Sequence, residues 1–413
     1  MVTEHVETLI IGGGQAGLTM SHNLSRFGCP HLVVERGRIA ERWRSERWDG
    51  LRFQFPNWSV KLPDFPFPCE EPDGFATSGE IVAYLEGYAQ LVKPPIRCGV
   101  EVTGLRRSSD GAILVQTSAG PIAARNVVIA TGPYQRPVVP RLLDEDRQLL
   151  QVHASAYKLP EQLPSGAVLV VGSGASGAQI AEELARAGRH VYLSVGRHKR
   201  MPRRYRGRDL IWWLAEMGLD RMPVEKRGSD ATLPLITGAY GGHTIDLRAF
   251  AAHGVTLLGR LRSADSNALE FAADLGDSIA YGDTAYAAFL DLVDDYVTRE
   301  KMSLPEEPAA RYRLPDPPCI TTPMRRLDIQ EAGLRSVVWA TGYTFDFGWV
   351  DLPVLDANGA PTHVHGVSSV PGVYFIGLPW LSRMNSSFLS GVGEDAARIA
   401  AHIHQRSVIA ATT

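Results

Sequence analysis

The feature that most limits what this chain can become is a motif that occurs twice. Thr8-Leu-Ile-Ile-Gly12-Gly-Gly14-Gln15-Ala16-Gly17 leads into an apolar helical pattern, Leu18 to Phe27, and then a strand, Val33-Val-Glu35. Val168-Leu-Val-Val-Gly172-Ser-Gly174-Ala-Ser176-Gly177 leads in the same way through Ala178 to Ala187 and on to Val191-Tyr-Leu-Ser194. Each copy is strand, G-x-G-x-x-G, helix, strand, the context that makes this glycine spacing a dinucleotide signal and not a chance turn. The first glycine permits the tight strand-to-helix turn, the second lets a pyrophosphate approach the backbone, and the third lets helix and sheet pack. Gly28 and Gly188 stand where a left-handed residue would end each helix.

The tails of the halves also match: Val127-Val-Ile-Ala130-Thr131-Gly132 and Val337-Val-Trp-Ala340-Thr341-Gly342 are both buried-strand runs closed by Ala-Thr-Gly. Gly12 and Thr131 are 119 residues apart, Gly172 and Thr341 169 apart, so the second half is the longer. The surplus is assigned to Met201–Asp328, where no strand rhythm is visible and helix with loop is expected. The resulting fold class is α/β, with two Rossmann-like domains, the second inserted in the first. Residues 1–158 and 330–413 are expected to form the first domain and 159–329 the second.

The residue closing the second strand of each unit selects the coenzyme. Glu35 can accept hydrogen bonds from an adenosine ribose, which suits FAD or NAD. The equivalent place holds Ser194, followed by Arg197-His-Lys-Arg200. With no carboxylate there and cations at hand, a 2′-phosphate would meet the Ser194 hydroxyl and Arg197, which favours NADPH. The competing reading of 197–200 is a solvated basic loop.

Composition excludes other classes. The chain has 413 residues, 45% hydrophobic and 21% charged, and a formal charge of −3, so no global field favours nucleic acid. Cys29, Cys69, Cys98 and Cys319 include no CxxC, which argues against a redox disulfide and a zinc site and suits a reducing cytoplasm. The N-terminal run lacks the basic and small-residue signals of a secretory leader, and no apolar run approaches a membrane span. His363 and His365 alternate as on one strand face, and no metal is assigned.

Two such motifs interleaved with two Ala-Thr-Gly strands resemble the class B flavin-containing monooxygenases over nearly the whole chain. Glu41-Arg42-Trp43-Arg, Trp48-Asp-Gly-Leu51 and Leu62-Pro-Asp-Phe-Pro-Phe-Pro68 resemble the family segment that runs from the flavin pyrophosphate to the isoalloxazine face. His153-Ala-Ser-Ala-Tyr157 matches the end of the fingerprint F-x-G-x-x-x-H-x-x-x-(Y/F); its leading Phe and Gly positions hold Arg147 and Leu149. Ala340-Thr-Gly-Tyr343 and Pro371-Gly-Val-Tyr-Phe-Ile-Gly377 resemble later family motifs. The resemblance implies FAD in the first site and NADPH in the second. Cofactor contacts are expected from Gly12, Gly14, Gln15, Ala16, Gly17, Glu35, Arg36, Arg42, Trp43, Val100, Ala130, Thr131, Gly132, Gly172, Gly174, Ser176, Gly177, Ser194, Arg197, Ala340, Thr341, Gly342, Gly377 and Leu389. An active-site Asn of the family aligns with Gln54, with Asn57 three residues on, and these two are the catalytic candidates.

The implied chemistry is reduction of FAD by NADPH, addition of dioxygen to give a flavin C4a-hydroperoxide, and oxygen transfer to a small soft nucleophile (nitrogen, sulfur or electron-rich carbon). An NAD(P)H:acceptor oxidoreductase or NADPH oxidase stays open, as does a flavin-binding sensor or interaction protein that uses 201–328 for docking. Two local readings also stay open. Ser386, Ser387 and Ser390, before a helix starting near Gly391, either serve the flavin pyrimidine or form an ordinary loop ahead of a terminal helix, Ala396–His404. Trp212 and Trp213 either line a substrate entry or form core. Apolar stretches in 201–328 allow a homodimer.

Overall fold

In the computed structural model, residues 2–108, 111–143, 149–229, 232 and 234–412 are described. Arg147, one of the two replaced fingerprint positions, lies outside them.

The first repeat forms strand β1 (Glu4–Ile11), helix α1 (Gln15–Arg26) and strand β2 (His31–Glu35); the second forms β3 (Ala167–Val171), α2 (Ala175–Arg186) and β4 (Val191–Ser194). Both helices begin three residues before the first apolar position of their patterns, because the glycine motif itself supplies the first turn. Gly28 (φ +65°) and Gly188 (φ +77°) close them in the left-handed conformation. The next residue's N–H then reaches back, Cys29 to Leu24 and Arg189 to Leu184, both at 3.0 Å.

In the first sheet β1 lies between β2 and Ile122–Ile129, parallel to both, with Ile10 opposite Val33 and Val128. The long strand Ile122–Ile129 has two kinds of neighbour. Its first half pairs antiparallel with Ile113–Thr117, and its second half pairs parallel with Val373–Phe375. The terminal helix, longer than expected at Val392–Thr412, packs on α1 and buries Ala396, Ile399, Ala400 and Ile403 in the same core as Leu18, Met20 and Leu24.

The second sheet is wholly parallel, in the order Leu150–His153, Leu334–Trp339, β3, β4, Thr256–Leu258. It departs from the expected boundaries. Leu150–His153 and Leu334–Trp339 fall within the residues expected for the first domain, yet both pair in the second sheet. A strand buried on both faces, as Val337, Val338 and Trp339 are, reads as a plain apolar run that does not name its neighbours.

The region 201–328, expected as helix with loop, also carries strands. It supplies the fifth strand of that sheet and, in Leu261–Ala264, Ala268–Phe271 and Arg326–Asp328, a three-stranded antiparallel sheet. Its main helix, Leu275–Arg299, buries Phe289, Leu290, Val293 and Val297 against Trp213 and Leu210. Burial of each such side chain is worth about 1.5–3 kcal/mol. Trp213 is therefore core, its indole N–H donating to the Tyr205 carbonyl at 2.9 Å. Among the described residues no helix is long and apolar enough to cross a membrane, and no three His, Cys, Asp or Glu side chains group as a metal site.

Candidate active site

The two glycine cradles have the same geometry. Gly12 (φ +117°) and Gly172 (φ +106°) turn where a Cβ would lie 2.6 Å and 2.5 Å from the carbonyl oxygens of Ala130 and Ala340. A Cβ on Gly17 or Gly177 would lie 1.8 Å or 1.9 Å from the carbonyl oxygen of Gly12 or Gly172. Gly14 and Gly174, by contrast, face open space. They are the N-caps of α1 and α2, and neither helix has a side-chain cap. The first-turn N–H groups and the helix dipole thus point at a space that suits a pyrophosphate.

The first cradle opens into a cavity of about 500 Å³. Of the residues singled out in the sequence, Gly12, Gly14, Gln15, Ala16, Glu35, Arg36, Arg42, Trp43, Gln54, Val100, Ala130, Thr131, Gly132, Ser176, Gly377 and Leu389 border it. Gly17 does not, because it is the helix-packing glycine. Gly377 (φ +77°) brings the strand Val373–Phe375 so close to α1 that a Cβ would lie 2.6 Å from the Ala16 Cβ. Gln15 Nε2 donates to the Ser387 carbonyl at 2.7 Å, tying α1 to the C-terminal loop. Ser176, Ala154 and Tyr343 reach the cavity from the second half, so it sits where the two sheets meet.

Glu35 lines the cavity with its carboxylate already oriented. Oε2 accepts from Gly13 N at 2.7 Å and Oε1 from Gly37 N at 2.8 Å, which leaves lone pairs free for a ribose. Arg47, not among the residues expected from the sequence, also borders the cavity, its guanidinium 5.2 Å from the Trp43 ring and 5.4 Å from that of Tyr134. The run of Arg and Trp in 41–48 was the available signal.

At the second cradle Gly172 and Gly177 stand against Ala340 and Thr341, and Ser176 borders the cavity. Two expectations are corrected here. Ser194 is 3% exposed; its hydroxyl donates to the Gly259 carbonyl and accepts from Leu261 N, both at 3.1 Å. A buried hydroxyl satisfies itself locally, and this one pins the chain leaving the fifth strand instead of facing a phosphate. The basic run also divides. Arg200 pairs with Asp246 at 2.8 Å and Asp283 at 3.2 Å, and burial pushes the His198 pKa down. Arg197 alone among the three arginine and histidine side chains is exposed, stacked 4.3 Å from the Tyr281 ring. Ser173 Oγ bonds both Gly196 N, at 3.1 Å, and Gly196 O, at 3.3 Å, holding this loop beside the cradle.

The catalytic candidates separate too. Gln54 borders the cavity, whereas Asn57 is buried and turned away, its Nδ2 donating to the Glu71 carbonyl at 3.0 Å. Asn57 opens a single 3₁₀ turn that redirects the chain, so three residues of separation do not keep the two side chains on one face.

The fingerprint residues act as joints. His153 Nε2 donates to the Gly342 carbonyl at 3.1 Å and Nδ1 accepts from Ser155 N at 3.1 Å, while burial lowers its pKa and favours the neutral ring. Tyr157 is buried and donates to Glu183 on α2 at 2.8 Å. Lys158 Nζ donates to the carbonyls of Ser45 and, at 2.8 Å, Arg47. Together they fix the second sheet to the cavity-lining segment 45–49. In the C-terminal loop Ser387, Phe388 and Leu389 reach the cavity; Ser386 Oγ instead accepts from Ser382 N and Arg383 N.

The family model described as Pyridine nucleotide-disulphide oxidoreductase matches residues 9–216, which includes both cradles. The chain belongs to that family. Over 396 residues it is 34% identical to a Geobacillus kaustophilus (strain HTA426) protein named Uncharacterized oxidoreductase CzcO-like, covering 95% of this chain and 96% of that one. It is 34% identical over 184 residues to the indole-3-pyruvate monooxygenase YUCCA1 of Oryza sativa subsp. japonica, covering 44% and 45% of the two chains. The fold is that of the flavin-containing monooxygenase from Stenotrophomonas maltophilia, with a TM-score of 0.68 at 18% identity over 98% of this chain and 100% of the other. The expected likeness to flavin-containing monooxygenases holds, as does the enzyme class, a flavin-dependent oxidoreductase that uses a pyridine nucleotide. Family membership does not bring a disulfide here: all four cysteines are free.

Proposed function

We propose that the cavity holds FAD, that the second cradle takes NADPH, and that the enzyme transfers one oxygen atom of dioxygen to a small soft nucleophile. The observation that carries this reading is the pair of equivalent cradles, the first opening into the cavity and the second reaching it through Ser176. A protein that only stored a flavin would have no use for the second.

When bound, the flavin supplies the hydride acceptor and the means of activating dioxygen. The chain supplies position and charge. Gly12–Gly17 and the start of α1 hold the pyrophosphate, Glu35 holds the ribose, and Arg36 and Arg42 add cations at the anionic end. Arg42 is paired with Glu46 at 2.6 Å, which leaves Arg36 the freer of the two. Gln54 presents an amide at the aromatic end, beside Phe53, Phe55 and Phe388, whose rings follow one another at 5.3 Å and 4.9 Å. These rings keep water from that end of the cavity, where peroxide would otherwise form unproductively. Arg197 takes the 2′-phosphate without help from Ser194. The free cysteines weigh against a route through a disulfide.

The test is a balance sheet of oxygen. Purified enzyme with FAD, NADPH and a panel of thioethers and amines is expected to place labelled dioxygen in a product. Oxidation of NADPH with stoichiometric peroxide across the panel would overturn oxygen transfer in favour of an oxidase. Failure of NADPH to reduce the flavin would leave a flavin-binding protein.

A further inference from the structure

Arg203 is one of the largest side chains wholly inside the protein, 2% exposed. It lies six residues beyond Arg197, in the loop that leaves β4. Its guanidinium forks onto Asp209, Nε to Oδ2 at 2.9 Å and Nη2 to Oδ1 at 2.8 Å. Asp209 is itself held, because Oδ1 caps the helix Leu210–Glu216 by accepting from Ile211 N at 2.8 Å. The remaining arm, Nη1, donates to the backbone carbonyl of Gln54 at 2.7 Å and that of Thr237 at 3.3 Å. The Phe75 ring closes one face of the guanidinium at 4.6 Å.

A buried arginine is costly unless its charge and donors are all met. Here the charge is met by Asp209, so the arm to Gln54 is not needed for neutralisation. Its effect is to fix a peptide group 149 positions away in the chain. The other side of that segment is fixed as well, since Phe53 N donates to the Ala76 carbonyl at 2.6 Å and a Cβ on Gly238 would lie 1.9 Å from the Phe53 carbonyl oxygen. Gln54 therefore has a clamped backbone, while among the described residues its side-chain amide has no hydrogen-bond partner. The same residue borders the cavity, together with Phe53 and Phe55 on either side.

We propose that Arg203 is a positioning residue: through its hydrogen bond to the Gln54 carbonyl it sets the Gln54 amide toward the isoalloxazine end of the cavity. This rests on the reading that the cavity holds FAD. The contact joins the loop that leaves β4 to the cavity-lining segment at Gln54.

The test measures FAD binding to apoprotein by fluorescence quenching, and the visible circular dichroism of the bound flavin, in wild type, Arg203→Lys, Gln54→Ala and the double variant. Lysine has one ammonium and cannot serve Asp209 and Gln54 with the same fork. Each single variant should weaken FAD about fivefold and alter the dichroism alike, and the double should be no weaker than Gln54→Ala alone. Additive losses, or an Arg203→Lys protein that binds FAD as wild type does, would overturn the proposal and leave the cavity reading standing. Wild-type apoprotein that takes up no FAD would overturn both. Where Arg203→Lys does not fold, Arg203→Gln combined with Asp209→Asn removes both buried charges together, and the same non-additivity with Gln54→Ala is expected; independent losses would overturn the proposal.

Discussion

Tyr157 donates its phenolic hydrogen to Glu183 at 2.8 Å, joining the end of the fingerprint segment to the helix that follows the second cradle. Burial raises the Glu183 pKa above the usual carboxylate value, opposed by the Tyr157 bond and reinforced by Asp49 and Glu161. The folded protein thus holds this proton more tightly than the unfolded chain. Its contribution to stability is complete below pH 4.5 and is lost as pH rises through the folded value. Glu183→Gln should remove that slope from melting temperatures measured between pH 4 and 8, and Tyr157→Phe should cost about 1–3 kcal/mol. An unchanged slope in Glu183→Gln would show that the carboxyl is not the source.

Two histidines act in the opposite direction. Burial lowers the pKa of His198 and of His153 below 6.5, so both stay neutral in the folded protein while the unfolded chain protonates. Stability is full above pH 6.5 and falls as pH drops toward the folded values. Replacing His198 by Gln should make the acid limb of the melting curve shallower even if it lowers stability overall. A limb as steep as wild type would clear His198 of the effect.

The glycines of each cradle should divide by role. Gly17→Ala forces a Cβ onto the Gly12 carbonyl and is expected to cost at least about 3 kcal/mol in denaturant unfolding. Gly14→Ala meets nothing in the protein, so its apoprotein should melt within about 0.5 kcal/mol of wild type while FAD binding falls at least about tenfold. Equal stability losses for the two would contradict the assignment.

The basic loop divides in the same manner. Arg197→Ala should weaken NADPH by about tenfold and leave NADH nearly untouched, read by flavin reduction rates against coenzyme concentration. Arg200→Ala, which strips a partner from Asp246 and Asp283, should cost about 3–5 kcal/mol in stability. Equal weakening of both coenzymes by Arg197→Ala would remove its phosphate role.

What could be read from the sequence is what is local. The cradles, their helix ends at Gly28 and Gly188, and the open place of Gly14 and Gly174 follow from residue chemistry within a few positions. What escaped reading depends on partners far along the chain. Leu334–Trp339 gives no sign of which sheet it joins. Ser194 sits at the coenzyme-selecting position, yet its hydroxyl is taken by Gly259 and Leu261 across a strand boundary. Arg203 is one arginine in an arginine-rich run until the fold brings Gln54 against it.

Whether one cradle serves a flavin and the other the nucleotide that reduces it is decided by anaerobic mixing of FAD-loaded protein with NADPH. The visible flavin band is expected to bleach in wild type. In Gly174→Ala, where the added Cβ meets only the coenzyme's space, FAD should stay bound but bleaching should slow sharply at the same NADPH concentration. A wild-type flavin that NADPH does not bleach, or a Gly174→Ala protein that bleaches at the wild-type rate across all NADPH concentrations, would contradict this division of roles.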